Sequence, residues 1–173
     1  LFLFTSSILL PIKAVLLNIV SLAAMMGALT WIFIKGHMTW LVGSFTNTGT
    51  IDTSMVILIS VVTFGLSMDY EVFLLSRIKE EHETGLGNED SVAIGLQRSA
   101  RIITAAALLL AIAFAAFITS GVTNIKTLGF GVAFAVLLDA TVIRGLLVPA
   151  LMRLFGELNW WAPKFLKRFT ISH

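Results

Sequence analysis

The sequence has no cysteine, which excludes disulfides and thiolate metal sites and leaves the compartment open. It also has little charge. Only 13% of its 173 residues are Asp, Glu, Lys or Arg, against roughly 25% in an ordinary soluble domain. The twelve Lys and Arg lie between apolar runs rather than in a basic patch, and the formal charge is only +2, so nucleic acid is not an expected partner. His37, His82 and His173 lack ligand-like spacing, and no metal or cofactor is expected. Neither a His-Glu-x-x-His run nor a Gly-x-Ser-x-Gly elbow occurs, and no His lies within the membrane to serve a serine nucleophile. An enzyme is therefore not expected. The chain has no initiator Met and no basic signal-peptide start, opening on Leu1 inside an apolar run. A piece of a longer protein is expected.

What the sequence has is hydrophobicity, 57% of it, in runs long enough to cross a bilayer. The expected fold is an all-α integral membrane protein, a polytopic transmembrane helix bundle. From Leu1 to Ile34 the only charge is Lys13, yet 34 helical residues would span about 51 Å against a hydrocarbon core of roughly 30 Å. That stretch must be two helices, broken between Ser6 and Lys13, where Pro11 disfavours helix in its predecessor and Lys13 supplies a headgroup-level charge. The expected spans are a truncated helix over about 1–10, then 12–34, 55–76, 102–119 and 128–151, followed by a tail over 152–173.

Loop charges orient these spans. Lys13, Arg77, Lys79, Arg98, Arg101, Arg153, Lys164, Lys167 and Arg168 fall on one side, and only Lys35 and Lys126 on the other. The first side is expected to be cytoplasmic, so spans 55–76 and 128–151 run inward and the C-terminus is cytoplasmic. Trp160 and Trp161 suit interface anchors. Asn88 is expected to cap a short helix with Glu89 and Asp90 in its first turn. Val92, Leu96, Ala100 and Ile103 share one face of it, which suggests a segment lying on the interface.

Three acids interrupt the apolar runs: Asp69 and Glu71 in GLSMDYEVFLL, and Asp139 in AFAVLLDATVIRGLL. An ionised Asp near a helix centre costs about 2.5 to 3.5 kcal/mol on insertion scales, so each needs a partner, water or a proton. Counting along the spans puts Asp69 about 21 Å and Asp139 about 17 Å from the helix starts, at similar depth. Gly65 stands one turn before Asp69, and Ala135 and Gly131 at successive turns before Asp139. Such small-residue stripes mark close helix contacts, so both acids are expected to face the bundle interior; Ala107, Ala111 and Ala115 form a weaker stripe. Arg144 lies five residues after Asp139, about 140° round an α-helix, and is expected to find its partner elsewhere. The alternatives are Glu71, 16 residues in from its helix start as Arg144 is, or snorkelling to the headgroups. Tyr70, beside Asp69, can donate and accept a hydrogen bond. A carboxyl that desolvation keeps neutral and a nearby cation ionises has the two protonation states that proton-coupled transport requires.

The stretches GLSMDYEVFLLSRIKEE and GFGVAFAVLLDATVIRGLLVPALMRLFGELNWWAP closely resemble the third-from-last and last helices of MMPL proteins, the latter with its following tail. PIKAVLLNIVSLAAMMGAL and GLQRSARIITAAALLL resemble the neighbouring helices, so nearly the whole chain is covered. The resemblance implies an RND-superfamily transporter of twelve helices in two halves, of which this is the last five. It implies that the N-terminal half and both large extracytoplasmic domains are missing here, and that the 173 residues alone do not transport. It also implies that Asp69 and Tyr70 face a second Asp-Tyr pair and carry protons, with Asp139 in support and Glu71 and Arg144 as supporting charges. Members commonly export lipids or lipid-like molecules across a bacterial plasma membrane, so membrane lipid, protons and a hydrophobic substrate are the implied partners. The alternative is a non-transporting lipid-sensing or scaffold bundle, since sterol-sensing domains resemble RND helices.

Overall fold

A computed structural model describes residues 7, 9–37 and 52–160. Helix α1, Leu9–Leu29, ends in a π-helical turn, Thr30–Ile34; α2 is Thr53–Glu83; α3, Asn88–Ala115, tightens into a 3-10 turn, Ala116–Thr119. A long rod follows: α4, Thr123–Leu138, a π-helical segment, Asp139–Leu147, then α5, Val148–Phe155, and a 3-10 turn, Gly156–Trp160. Among the described residues there is no strand. Four stretches, Leu9–Ile34, Thr53–Glu83, Asn88–Thr119 and Thr123–Trp160, are long and apolar enough to cross a membrane. The fold is a polytopic membrane helix bundle.

Ser7 accepts a hydrogen bond from the Leu9 amide at 3.2 Å, so the helix begins within the expected break. It runs through Pro11, whose missing N–H does no harm in a first turn. The rest of the truncated helix expected over 1–10 lies outside the described residues, as do Trp161, Lys164, Lys167, Arg168 and His173. Asp52 caps α2, its side chain accepting from the Ser54 amide at 2.8 Å.

The hairpin of α2 and α3 corrects the expected spans 55–76 and 102–119. Both helices continue past the apolar runs because their polar ends pack on each other: Glu81 pairs with Arg98, and at Gly95 the backbones almost touch. A Cβ there would lie 2.8 Å from Ile78 Cα and 2.9 Å from Ile78 N. The segment 88–101 is therefore part of one continuous α3 and not a separate interfacial helix, and the cap position is Gly87, not Asn88. Gly95→Ala must push the two backbones apart. An overpacking loss of about 1–3 kcal/mol is expected, read as earlier unfolding of the full-length protein in detergent. Gly27→Ala, whose Cβ would meet nothing within 4 Å, should cost nothing.

Two apolar clusters hold the bundle. One joins Met25, Leu29, Ile32, Ile59, Ala107 and Val132; the other, towards the α2–α3 turn, joins Leu17, Leu74, Ile78, Ile103, Val148 and Met152. Gly131 packs on Ile59 and Leu29, and Ala107, Ala111 and Ala135 are buried, so these stripes make the close contacts expected of them. Outside, Val15, Leu16, Ile19, Val61, Leu109, Ile112 and Leu146 are exposed, the apolar exterior that a lipid solvent requires.

Candidate functional site

Between the two clusters lies a polar layer. On α2 it is written at a spacing of four: Thr63, Ser67 and Glu71 are all buried because residues four apart share a helix face. Hydroxyls in such a layer must find acceptors where no water competes. Thr63 donates to the Ile59 carbonyl at 2.7 Å, and Ser67 donates to Asp139 Oδ1 at 2.9 Å. The same Ser67 oxygen accepts from Arg144 Nη2 at 3.0 Å, and that nitrogen also donates to the Ser67 carbonyl. Arg144 Nε donates to Asp139 Oδ2 at 2.7 Å. Asp139 is 5% exposed and Arg144 only 2%, so this is a buried ion pair braced on a second helix.

The pair overturns the expectation that Arg144 finds its partner away from Asp139. Both residues lie in the π-helical segment Asp139–Leu147, where hydrogen bonds run from i to i+5 rather than i+4. Residues five apart then share one face, and the 140° offset of an α-helix is largely removed. Neither expected alternative occurs: Arg144 is too buried to snorkel, and Glu71 makes no hydrogen bond or ion pair with any described residue.

Asp139 lies level with Ser67, two residues from Asp69, so the two acids do stand at similar depth. Their direction differs. Asp69 is exposed on the bundle surface, as is Gly65, against the expectation that both acids face inward. The reason is angular: two residues are about 200° round the helix, so with Ser67 and Glu71 turned inward Asp69 is turned out. It makes no hydrogen bond or ion pair with any described residue. Tyr70 is half-buried between the two faces, its ring centre 5.6 Å from the Arg144 guanidinium, within cation–π range. With Ser21, Thr63, Ser67 and Asp139 it lines a cavity of 10 Å³, room for about one water molecule.

The layer thus brings together Asp139, Arg144 and Tyr70, sets Glu71 on the same inner face, and leaves Asp69 alone on the outer one. Sequence reasoning missed Ser67. Its only signal is a hydroxyl four residues before Glu71, and serines in helices ordinarily bond their own chain's carbonyls, as Ser76 and Ser91 do here. Among the described residues no group of three His, Cys, Asp or Glu could hold a metal ion.

A model of the MMPL family matches residues 1–170. A membrane protein of Streptomyces coelicolor is 46% identical over 97% of this chain and 24% of its own length. The trehalose monomycolate exporter MmpL3 of Mycobacterium tuberculosis is 46% identical over 96% of this chain and 18% of its own. The mycolic acid-containing lipids exporter MmpL11 of Mycolicibacterium smegmatis is 41% identical over 94% and 17%. The chain therefore spans about a quarter or less of the length of these relatives.

Proposed function

This chain belongs to the MMPL family of membrane transporters, and on that footing we propose that it is the C-terminal membrane portion of a proton-driven exporter of lipids or other hydrophobic molecules. It sits in a bacterial plasma membrane with its C-terminus in the cytoplasm, and its working partner is the N-terminal half of the same transporter. The observation that carries this reading is Asp69: an ionisable group well inside a membrane-spanning helix, exposed, bonded to no described residue, and next in sequence to Tyr70, whose ring centre lies 5.6 Å from Arg144 of the buried pair. An ionised Asp left against lipid costs about 2.5 to 3.5 kcal/mol. A polar surface on a second half that receives this face, such as the family's other Asp-Tyr pair, removes that cost.

The placement supports the following chemistry. Asp69 takes a proton when its face is open to one side of the membrane and loses it when open to the other. Tyr70, adjoining Asp69 in sequence and the Ser67–Asp139 cavity in space, orients the hydrogen bonds of both. The Asp139–Arg144 pair is internally neutral and fixes α2 against the rod, so a change at Asp69 reaches both helices. The names of two relatives, both exporters of lipids, favour transport over a lipid-sensing bundle.

The direct test uses the full-length protein in vesicles carrying a fluorescent long-chain glycolipid. Export is expected to follow an imposed pH gradient and to stop when a protonophore collapses it. Export that continues unchanged without the gradient overturns the proposal.

A further inference from the structure

The end of the bundle at the α2–α3 turn is closed by side chains that proton coupling at Asp69 leaves unused. Asn159, in the 3-10 turn Gly156–Trp160, is fully buried. Its Oδ1 accepts from Lys13 Nζ of α1. Its Nδ2 donates to the Met152 and Gly156 carbonyls, each at 2.6 Å, and stands 3.3 Å from Asn88 Oδ1. Asn88, at the start of α3, donates to the Met152 carbonyl at 2.9 Å and accepts from the Trp160 indole at 3.1 Å. Trp160 in turn stacks on His82, ring centres 4.1 Å apart. One short turn thus ties α1, both arms of the hairpin and α5, and Trp160 is more than the interface anchor expected of it.

Lys13, expected to supply a headgroup-level charge, is buried within the bundle, at 9% exposure. Its ammonium is held by neutral groups: Asn159, the Leu151 carbonyl at 3.4 Å, and the face of Phe155 at 3.9 Å. Directly inside lies a cavity of 10 Å³ lined by Lys13 and Glu71 together with Leu17, Leu75 and Met152. A buried cation and a buried acid therefore border one small space without touching. Charged groups are costly in an apolar interior unless they are paired or hydrated, and a Lys–carboxylate bond is stronger than a Lys–amide one.

We propose that Asn159, Asn88 and Trp160 form a latch that closes this end of the bundle, and that its opening admits water to the cavity between Lys13 and Glu71. The latch is built to release. It is a 3-10 turn, whose backbone hydrogen bonds are poorer than those of an α-helix. It joins α5 through Gly156, whose φ of 50° favours glycine.

The chain has no cysteine, so an introduced one reports water access cleanly. The experiment uses the full-length protein in membrane vesicles, with any cysteine elsewhere replaced, and follows labelling of Leu75→Cys by a water-soluble maleimide. Adding Asn159→Ala is expected to speed labelling by at least about tenfold, since it removes several bonds of the latch. Trp160→Phe keeps the stacked ring and loses one N–H, and is expected to speed it roughly 2- to 10-fold. Ala107→Cys, buried in the opposite cluster, is the control and should not change. An equal rise at both positions, which means general loosening, or no rise at Leu75→Cys, overturns the latch. Where Asn159→Ala does not accumulate folded, Trp160→Phe decides by the same criterion. The readout is water access and not export, so its failure is distinct from a failure of the transport reading.

Discussion

Asp69→Asn in the full-length protein is expected to abolish pH-gradient-driven export from vesicles while leaving accumulation and membrane insertion intact. The substitution keeps the side chain's shape and removes its titration. Because Asp69 is exposed on the bundle and bonds to no described residue, no contact within this chain is lost, and Asn, which keeps the shape and can still hydrogen-bond, is expected to leave accumulation intact. Loss of export therefore reports loss of the proton site rather than loss of fold. Tyr70→Phe removes one hydroxyl, worth about 0.5 to 1.5 kcal/mol as an ordinary hydrogen bond, and should slow export several-fold without stopping it. The ordering is the measurement that matters: full gradient-driven export by Asp69→Asn, or a Tyr70→Phe defect as deep as that of Asp69→Asn, defeats the assignment of Asp69 as the principal carrier.

Asp139→Leu is expected to act by a different route. Asp139 and Arg144 are a buried ion pair with a 2.7 Å bond, and Arg144 is also bonded to Ser67. Removing the acid leaves a buried guanidinium uncompensated, and breaking a buried pair from one side costs about 3–5 kcal/mol. The full-length protein carrying Asp139→Leu should unfold much earlier in denaturing detergent and accumulate poorly. Replacing both partners, Asp139→Leu with Arg144→Met, should recover most of that loss, since apolar residues of similar volume often substitute for a buried pair at no net cost. A single substitution costing under about 1 kcal/mol, or a double substitution no better than the single, shows that the pair does not brace the two helices.

Much of this molecule was legible in its residues. The apolar runs require membrane-spanning helices because backbone groups in lipid must be satisfied within the segment. The three acids and Arg144 stood out because each is costly there. Gly131, Ala135, Ala107 and Ala111 were readable as contact residues because only small side chains let helices approach closely. The ends of α2 and α3 were less readable. Residues 77–83 and 88–101 are polar enough to look like a loop and an interfacial segment, and it is mutual packing at Gly95 and Ile78 that makes them one hairpin.

The sequence by itself determined the solvent, the number of long helices among the described residues, and the common level of Asp69 and Asp139, because hydrophobicity and rise per residue are properties of the chain alone. Only the tertiary structure decided which way the ionisable groups face and what they touch. Asp69 turns outward because Ser67 and Glu71 are taken inward by the neighbouring helices, a choice between faces that the pattern around Gly65 did not carry. Arg144 meets Asp139 because the rod adopts π-helical hydrogen bonding over Asp139–Leu147, which moves residues five apart onto one face. Lys13 is buried because Asn159, 146 positions away in sequence, reaches back to hold it. In each case the deciding partner lies on another helix or in a rare backbone geometry, and neither is written in the local spacing of side chains.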